Sequence, residues 1–234
     1  MIESTQNKQF KLWMKLKLKK YRDQHDMFLV YGKHLIDKAR EQNALIDTIT
    51  SNPDKEGILI SLSLMKELQQ TPSMIDEIGL CKKTNPMKKS KRVLILDDVQ
   101  DPDNVGALLR SASAFGFTHV ILSPRSADVY NEKTIRASKG AIFDCYVERK
   151  PLKEALETLK SQDYKVIAAD AHETDDINQS NEKVALILGN EGHGISNDVA
   201  TYVDSFVTIE TQNVESLNVS VAGAIIMYVW RKHI

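Results

Sequence analysis

The sequence predicts two α/β units joined by a linker, with a mostly parallel sheet in the second unit. The chain has 234 residues, of which 42% are hydrophobic and 27% charged, an ordinary composition for a folded protein. From Val93 onward, apolar strand-like runs alternate with helical segments, which is typical of a parallel sheet covered on both faces. Together, these observations divide the chain into residues 1–81, a linker at 82–92 and residues 93–234.

Each element of the first unit follows from its local pattern. A basic helix is predicted over Lys8–Arg22, where lysines alternate with apolar residues such as Trp13 and Leu16. The other predicted elements are strands at Met27–Tyr31, Ile46–Thr50 and Gly57–Ile60 and helices at Lys33–Gln42 and Leu62–Leu68. The lysine-rich segment Lys82–Arg92 has an Asn-Pro pair and no apolar periodicity, so it is interpreted as the linker.

The second unit alternates strands with helices as far as its last helix. Strands are predicted at Val93–Leu96, His119–Leu122, Lys165–Ala169, Val184–Leu188 and Phe206–Ile209. Helices are predicted at Val105–Phe115, Asn131–Ser138, Leu152–Leu159 and Ser216–Trp230. The last helix is apolar on nearly all sides, so we expect it to be buried in the domain or at a subunit interface.

Charge is divided unevenly along the chain. Residues 1–92 carry 18 Lys and Arg against 11 Asp and Glu, whereas residues 93–234 carry 13 against 21. An excess of basic residues favours contact with a polyanion such as RNA, because Lys and Arg neutralise phosphates. A solvated helix face or a membrane-surface helix would show a similar pattern, and the charges alone leave these alternatives open. The candidate RNA-binding residues are Lys15, Lys19, Arg22 and Lys33.

The composition disfavours several other classes of protein. The longest apolar run, Val219–Trp230, is shorter than the roughly twenty residues that span a bilayer, so no membrane association is expected. Met1–Lys20 lacks the features of a secretory signal, so a cytoplasmic location is expected. Cys81, Cys145 and the six histidines show no metal-ligand spacing, so we expect reduced, structural thiols and no metal.

The loop after Val93–Leu96 leads into a helix that carries Arg110. Either Asp103 or Asn104 is expected to cap this helix by accepting backbone N–H bonds. Gly106 lies in the first turn, where it costs up to about 1 kcal/mol relative to Ala, so another group is expected to approach the backbone there. Arg110 is either a functional cation or the partner of a nearby aspartate, and its position is compatible with both.

Two further loops follow predicted strands, where ligands bind in open α/β sheets. The loop Gly189–Ser196 has three glycines among its first six residues, and such a loop leaves its backbone amides open to a ligand. Its spacing is that of neither a dinucleotide fingerprint nor a phosphate loop, which disfavours nicotinamide and nucleoside triphosphate sites. His193 is interpreted as a solvent-facing loop residue. Before the last helix, Ser216 and Asn218 are expected to cap the helix or form turns.

Taken together, three segments resemble the signature motifs of a known family. They are Leu96–Arg110, Leu186–Ser196 and Glu215–Ala222, with a fourth similar segment at Ala137–Ala141. These segments are similar to those of the SpoU (TrmH-like) family, RNA ribose 2′-O-methyltransferases of the SPOUT superfamily. The region Lys8–Lys38 resembles the small ribosomal-protein-like substrate-binding domain that precedes the catalytic domain in many members.

The resemblance implies a carboxyl-terminal α/β trefoil-knot (SPOUT) domain, an exception to the rule that chains do not knot. It also implies a homodimer in which the partner subunit completes each active site, and methyl transfer to a ribose 2′-hydroxyl of transfer or ribosomal RNA. S-adenosylmethionine is the implied cofactor. The positions that the resemblance assigns to cofactor binding are Leu188, Gly189, Asn190, Gly192, Ile209 and Leu217.

Arg110 matches the catalytic arginine of the first motif. An arginine is a poor base because its pKa exceeds about 12, so the expected role is to orient the hydroxyl and an RNA phosphate. Asn104, Glu191, Ser216 and Asn218 match the other polar motif positions. By this resemblance, Asn104 and Glu191 shape the RNA side of the site, while Ser216 and Asn218 support the loops of the knot.

The third motif departs from the family pattern. Most members have Ile-Pro followed by apolar residues and glycine before this motif, whereas this chain has Ile209–Asn213, without proline or glycine. We therefore expect the loop on the adenine side of the cofactor to be shaped differently.

Two other functions are compatible with parts of the sequence. One is a non-catalytic RNA- or ribosome-binding factor that retains the methyltransferase fold, against which Arg110, Glu191 and Asn218 argue. The other, without the resemblance, is a nucleotide-dependent enzyme of doubly wound type.

Overall fold

A computed structural model of the chain describes residues 1–70, 73–85, 90–170 and 183–231. The described residues form one sheet of four strands and one of six. Part of the predicted linker, residues 86–89, lies outside the described residues.

The four-stranded sheet and its helices form the first unit. Its elements are α1 (Lys8–Lys15), α2 (Lys19–His25), β1 (Met27–Tyr31), α3 (Lys33–Glu41), β2 (Leu45–Thr50), β3 (Ile58–Leu59), α4 (Leu62–Leu68) and β4 (Glu77–Lys82). The strand order is β1-β4-β2-β3, and β4 pairs antiparallel with both of its neighbours. β4 was not predicted because Gly79 interrupts its short apolar run. A Cβ at Gly79 would lie 2.7 Å from Cγ2 of Val30, so close strand packing requires this glycine.

The single basic helix predicted over Lys8–Arg22 is in fact two helices with a break at residues 16–18. Nη1 of Arg22 donates to the carbonyl oxygens of Leu16 at 2.9 Å and Lys17 at 2.7 Å. These bonds satisfy carbonyls at the end of α1. Arg22 is buried, so the prediction that it contacts RNA is wrong: its charge stabilises the fold instead.

All strand pairs of the six-stranded sheet are parallel, as the alternating pattern predicted. The elements of this second unit are β5 (Arg92–Leu96), α5 (Pro102–Phe115), β6 (His119–Leu122), α6 (Glu132–Ser138), β7 (Tyr146–Arg149), α7 (Leu152–Ser161), β8 (Lys165–Ala169), β9 (Val184–Leu188), α8 (Asn197–Ala200), β10 (Ser205–Val207) and α9 (Val219–Val229). The strand order is β10-β8-β9-β5-β6-β7. β7 was not predicted, because this edge strand is half-buried throughout and its polar sequence shows no apolar run.

Helices cover both faces of this sheet. β5 and β9 lie in its middle and are buried at every residue, which explains the continuous apolar sequences at 93–96 and 184–188. Along β5, Leu94 and Leu96 pack in the same cluster as α5 and α9, whereas Val93 and Ile95 pack with α7. The alternation of side chains along a strand therefore distributes one apolar run between two layers of helices.

The two units share a hydrophobic core. Phe28 of β1 has its ring centroid 4.7 Å from that of Tyr130 and 5.9 Å from that of Phe143, both in the second unit. The cluster that contains Phe28 also includes residues of β5 and α5. Because apolar packing continues from one sheet to the other, the two units are packed directly against each other.

The structure tests the predictions made for the cysteines, and it was also searched for membrane-spanning helices and metal sites. Cys81 and Cys145 are buried free thiols, as predicted, and burial raises the pKa of each to about 12. Both thiols are therefore neutral at pH 7. Among the described residues, no helix is long and apolar enough to cross a membrane, and no group of three or more His, Cys, Asp or Glu could hold a metal ion.

Candidate active site

A cavity of about 650 Å³ opens beyond the carboxyl ends of β8, β9 and β10. This is the edge at which open α/β sheets bind ligands, and the volume is typical of a small-molecule site. Apolar residues such as Val207 and Ile226 line it together with polar loop residues. The cavity brings together most of the site residues predicted from the sequence, namely Leu188, Gly189, Asn190, Glu191, Gly192, Ile209, Ser216, Leu217 and Asn218.

The glycine-rich loop after β9 forms a closed turn beside the cavity. Backbone hydrogen bonds run in both directions between Asn190 and Gly194, with N···O distances of 2.9 and 3.0 Å. Gly194 has a φ of +66°, which favours glycine. A Cβ at Gly189 would lie 2.3 Å from the carbonyl carbon of Gly194. Glycine is therefore required at Gly189 and favoured at Gly194.

The side chain of Asn190 is used to shape this turn. Its Oδ1 accepts from the backbone N–H groups of Gly192 at 2.9 Å and His193 at 3.1 Å, while Nδ2 donates to the carbonyl oxygen of Asp98 at 2.9 Å. The side chain of His193 is exposed, as predicted. The loop therefore offers a ligand mainly its backbone.

Asn104 links the other two loops through its side-chain amide. Its Nδ2 donates to Oε1 of Glu191 at 2.8 Å, and its Oδ1 accepts from Nδ2 of Asn218 at 3.1 Å. The expectation that Asp103 or Asn104 caps α5 is wrong, because Asp101 caps it by accepting from the backbone N–H of Asp103 at 2.8 Å. Asn104 is thus free to connect the three sequence motifs.

The hydrogen bonds of Asn104 place Glu191 beside the first turn of α5 and link it indirectly to Asn218 at the start of α9. Asn218 caps α9, as predicted, with Oδ1 accepting from the backbone N–H of Ser220 at 2.9 Å. Asn104 lies in the first turn of α5. Because helix amino ends carry partial positive charge, the amino end of α5 favours a carboxylate at this position. Ser216, which was expected to cap the helix or form a turn, does not cap α9 and lies exposed at the cavity.

The amino-terminal half of α5 packs closely against α6 at Gly106. A Cβ at Gly106 would lie 2.5 Å from Cβ of Ala137 and 2.6 Å from the carbonyl oxygen of Thr134. This confirms the expected close approach to the backbone. The segment Ala137–Ala141, which was noted as a further motif, therefore supports the helix that carries Asn104.

Arg110 is exposed on α5 and lies outside the set of residues that line the cavity. It has no hydrogen bond or ion pair with any residue that the structure describes. The alternative that it pairs with a nearby aspartate is therefore wrong. Along the helix axis it is about 9 Å from Asn104, at roughly 1.5 Å per residue.

The structure adds polar residues that the sequence did not single out. Asp170, Thr211 and Glu215 also line the cavity. Asp170 directly follows β8, so its position after a parallel strand could have identified it. In the segment that lacks the usual proline and glycine, Oγ1 of Thr211 donates to the carbonyl oxygen of Val214 at 2.6 Å. A side-chain hydrogen bond thus closes this loop.

The remaining candidate RNA-binding residues are exposed on the first unit. Nζ of Lys15 lies 5.4 Å from the ring centroid of Tyr21, and Lys19 pairs with Asp23. Lys33 has 75% of its side chain exposed, although Nζ is 2.8 Å from Oδ2 of Asp37. These three lysines, unlike Arg22, are available to a polyanion.

Two protein-family models together match nearly the whole chain. Residues 91–228 match the SpoU rRNA Methylase family, and residues 7–78 match the MRM3-like substrate binding domain. The substrate-binding-domain match covers the first structural unit, and the methylase match covers the second unit.

Individual proteins agree with the family match. The 23S rRNA (guanosine(2553)-2′-O)-methyltransferase RlmP of Bacillus subtilis (strain 168) is 32% identical, over 97% of each chain. The structure of a putative TrmH-family RNA methyltransferase from Porphyromonas gingivalis has a TM-score of 0.82 and 28% identity, covering 96% of this chain and 97% of that one. The SpoU methyltransferase AviRb from Streptomyces viridochromogenes, in complex with AdoMet, has a TM-score of 0.85 at 23% identity, with 96% and 97% covered. These matches confirm the expected fold class.

Proposed function

Because the chain belongs to the SpoU rRNA methylase family, we propose that it transfers the methyl group of S-adenosylmethionine to a ribose 2′-hydroxyl of ribosomal or transfer RNA. The observation that carries this function is that two family motifs line one cavity and the third is joined to both of them by the Asn218–Asn104–Glu191 hydrogen bonds. A relative with this activity in its name matches the chain over almost its full length.

The cavity fits this cofactor in size and chemistry. Its volume of about 650 Å³ accommodates a nucleoside with an amino-acid chain. Apolar residues such as Ile209 and Leu217 can contact a base, while the turn at Gly189–Gly194 presents backbone groups to polar atoms. When bound, the cofactor supplies a methyl group on a positively charged sulfur, which is the electrophile of the reaction.

Glu191 is proposed to hold the ribose at the cavity. Its carboxylate is oriented by Asn104, whose amide is oriented in turn by Asn218. A carboxylate held in this way can accept a hydrogen bond from a ribose hydroxyl and keep the attacking oxygen in place. Such positioning contributes to the rate because it lowers the entropic cost of reaching the reactive geometry.

We infer that the active form is a homodimer built on α9. Val221 and Tyr228 of this apolar helix are 47% and 51% exposed, and the half-buried Ile225 lies between them. An apolar helix face left open in one chain is typical of a subunit interface. The ring of Tyr228 contacts that of Phe115 at a centroid distance of 5.6 Å, which joins α9 to the helix that carries Arg110.

Arg110 is proposed to bind an RNA phosphate and orient the 2′-hydroxyl. Its lack of an ion pair with the described residues leaves its five N–H donors available. Because it does not line the cavity of its own chain, we propose that it serves the cavity of the partner subunit. The exposed lysines of the first unit, Lys15, Lys19 and Lys33, hold the RNA further from the reacting group.

The test is transfer of a labelled methyl group from S-adenosylmethionine to RNA from cells that lack this protein. Free RNA and ribosomal subunits are assayed separately, and the products are digested to nucleosides. We expect one labelled 2′-O-methylnucleoside. Cofactor binding by calorimetry without incorporation into any RNA fraction would contradict catalysis and favour an RNA-binding factor that retains the fold.

A further inference from the structure

Arg22 joins the basic helices of the first unit to the second unit. Its Nη2 lies 2.7 Å from Oδ2 of Asp128, and the side chains are only 7% and 13% exposed. The same guanidinium donates to the carbonyl oxygens of Leu16 and Lys17, between α1 and α2. One buried cation therefore binds both the helix pair that carries the exposed lysines and the loop at residues 123–128.

Arg149 holds that loop in one conformation. Its guanidinium donates to the carbonyl oxygens of Ser123 at 2.8 Å, Pro124 at 3.2 Å, Ser126 at 2.7 Å and Ala127 at 2.5 Å. A planar guanidinium has its donors at fixed angles, so four such acceptors define the path of the chain. Asp128 is consequently presented to Arg22 by a rigid loop.

The opposite end of the loop is linked through Asp98 to the glycine turn that lines the cavity. Oγ of Ser123 donates to Oδ1 of Asp98 at 2.6 Å and accepts from the backbone N–H of Asp98 at 3.0 Å. The carbonyl oxygen of Asp98 accepts from Nδ2 of Asn190, the residue that shapes the glycine turn. Hydrogen bonds and one short loop thus connect the basic helices with the cofactor cavity.

We propose that Arg22 and Asp128 are positioning residues that fix the RNA-docking unit relative to the cavity, so that a docked RNA presents its ribose there. This inference rests on the proposed function. RNA binds largely through lysines of the first unit, whereas the methyl group is transferred at the second unit. A misplacement of about 1 Å far from the reacting atoms can lower a rate on the order of 100-fold, so the junction between the units affects catalysis directly.

The test replaces the carboxylate of Asp128 and measures binding and turnover separately. For Asp128→Asn, we expect the rate at saturating RNA and cofactor to fall roughly tenfold or more. The dissociation constants for both ligands should change less than about twofold, because the lysines and the cavity are intact. Asp128→Glu should recover most of the rate. Glu41→Gln, which removes the carboxylate of the exposed Lys38–Glu41 pair, is the matched control and should retain the wild-type rate.

Breaking a buried pair can destabilise the fold, so a second variant accompanies the first. Arg22→Met combined with Asp128→Leu fills the junction with apolar groups and leaves no unpaired charge. We expect this variant to fold, bind both ligands and turn over slowly. A wild-type rate in either variant would overturn the inference, as would a loss of RNA affinity that accounts for the whole loss of rate. An inactive wild-type chain would instead contradict the proposed function itself.

Discussion

Asn104 and Glu191 are hydrogen-bonded at 2.8 Å although they lie 87 positions apart in the sequence. Asn104 donates through Nδ2, so its Oδ1 faces Asn218 and accepts from that residue at 3.1 Å. The amide has one donor group and one acceptor group, and the network uses both. Neither aspartate nor leucine, which are similar in size, can satisfy both neighbours in this way.

Replacing Asn104 should therefore lower activity with little effect on cofactor binding. Asn104→Ala removes a hydrogen bond to a carboxylate, worth about 1.5–3 kcal/mol, which corresponds to roughly a tenfold to 100-fold loss of kcat/KM. Methyl transfer and cofactor calorimetry measure the two effects. Asp103→Asn changes the neighbouring exposed residue and serves as the control. Equal activity of Asn104→Ala and the wild type would contradict a role for this network.

The glycine turn yields a prediction about cofactor affinity. Gly189→Ala places a Cβ against the carbonyl of Gly194, so the turn must open and calorimetry should show that cofactor binding is lost. Gly116→Ala is the control, because φ at Gly116 is +81° and no atom lies within 4 Å of an added Cβ. That change costs about 1–2 kcal/mol of backbone strain away from the cavity. It should lower the melting temperature but leave cofactor affinity unchanged; if both variants bind the cofactor normally, the turn does not form the site.

The parallel sheet and its site-bearing edge were predictable because their causes are local. The apolar runs at residues 93–96 of β5 and 184–188 of β9 are uninterrupted because both faces of these strands are buried. Gly106 was also informative, since a glycine inside a helix costs about 1 kcal/mol and here its missing side chain allows the close approach of α6. These features depend on a few neighbouring residues and on general rules of packing.

Features that depend on distant partners were not predictable from the sequence. A lysine-rich helix with one arginine gives no indication that Arg22 is buried against Asp128, 106 positions away. Likewise, the amides of Asn104 and Asn218 meet only after the chain has folded, although their motifs suggested a shared site. Composition determines which side chains carry charge, but the tertiary fold determines which charges remain exposed to RNA.

The exposed lysines should determine the salt dependence of RNA binding. If Lys15 and Lys19 each neutralise a phosphate, the double variant Lys15→Ala/Lys19→Ala should reduce the slope of log K against log salt by about 2. Titrations of labelled RNA at several salt concentrations measure this slope. Lys153→Ala removes an exposed lysine from α7 of the second unit and should not change it. An unaltered slope in the double variant would place RNA on another surface.

The exposed face of α9 should determine the oligomeric state. Val221→Asp puts a charge in the proposed interface, so we expect dimers to dissociate in sedimentation experiments. Leu62 of α4 is 61% exposed, and α4 packs in a different hydrophobic cluster from α9, so Leu62→Asp is the control and should remain dimeric. Wild-type protein that sediments as a monomer at the concentration of the activity assay would contradict the homodimer.

Arg110 should be required for methyl transfer but not for folding. Its side chain is exposed and has no polar partner among the described residues, so Arg110→Ala should leave the melting temperature unchanged. Turnover should fall by at least about 100-fold, while cofactor affinity is retained, because the residue does not line the cavity. Arg110→Lys keeps the charge but not the paired donors and should recover little activity. Mixing Arg110→Ala with Asn104→Ala tests whether Arg110 acts at the cavity of the partner subunit. If it does, each heterodimer contains one site in which both residues are intact. We then expect the mixture to be more active than either variant alone. Unchanged methylation by Arg110→Ala would exclude the proposed role, and no gain on mixing would place Arg110 in the site of its own chain.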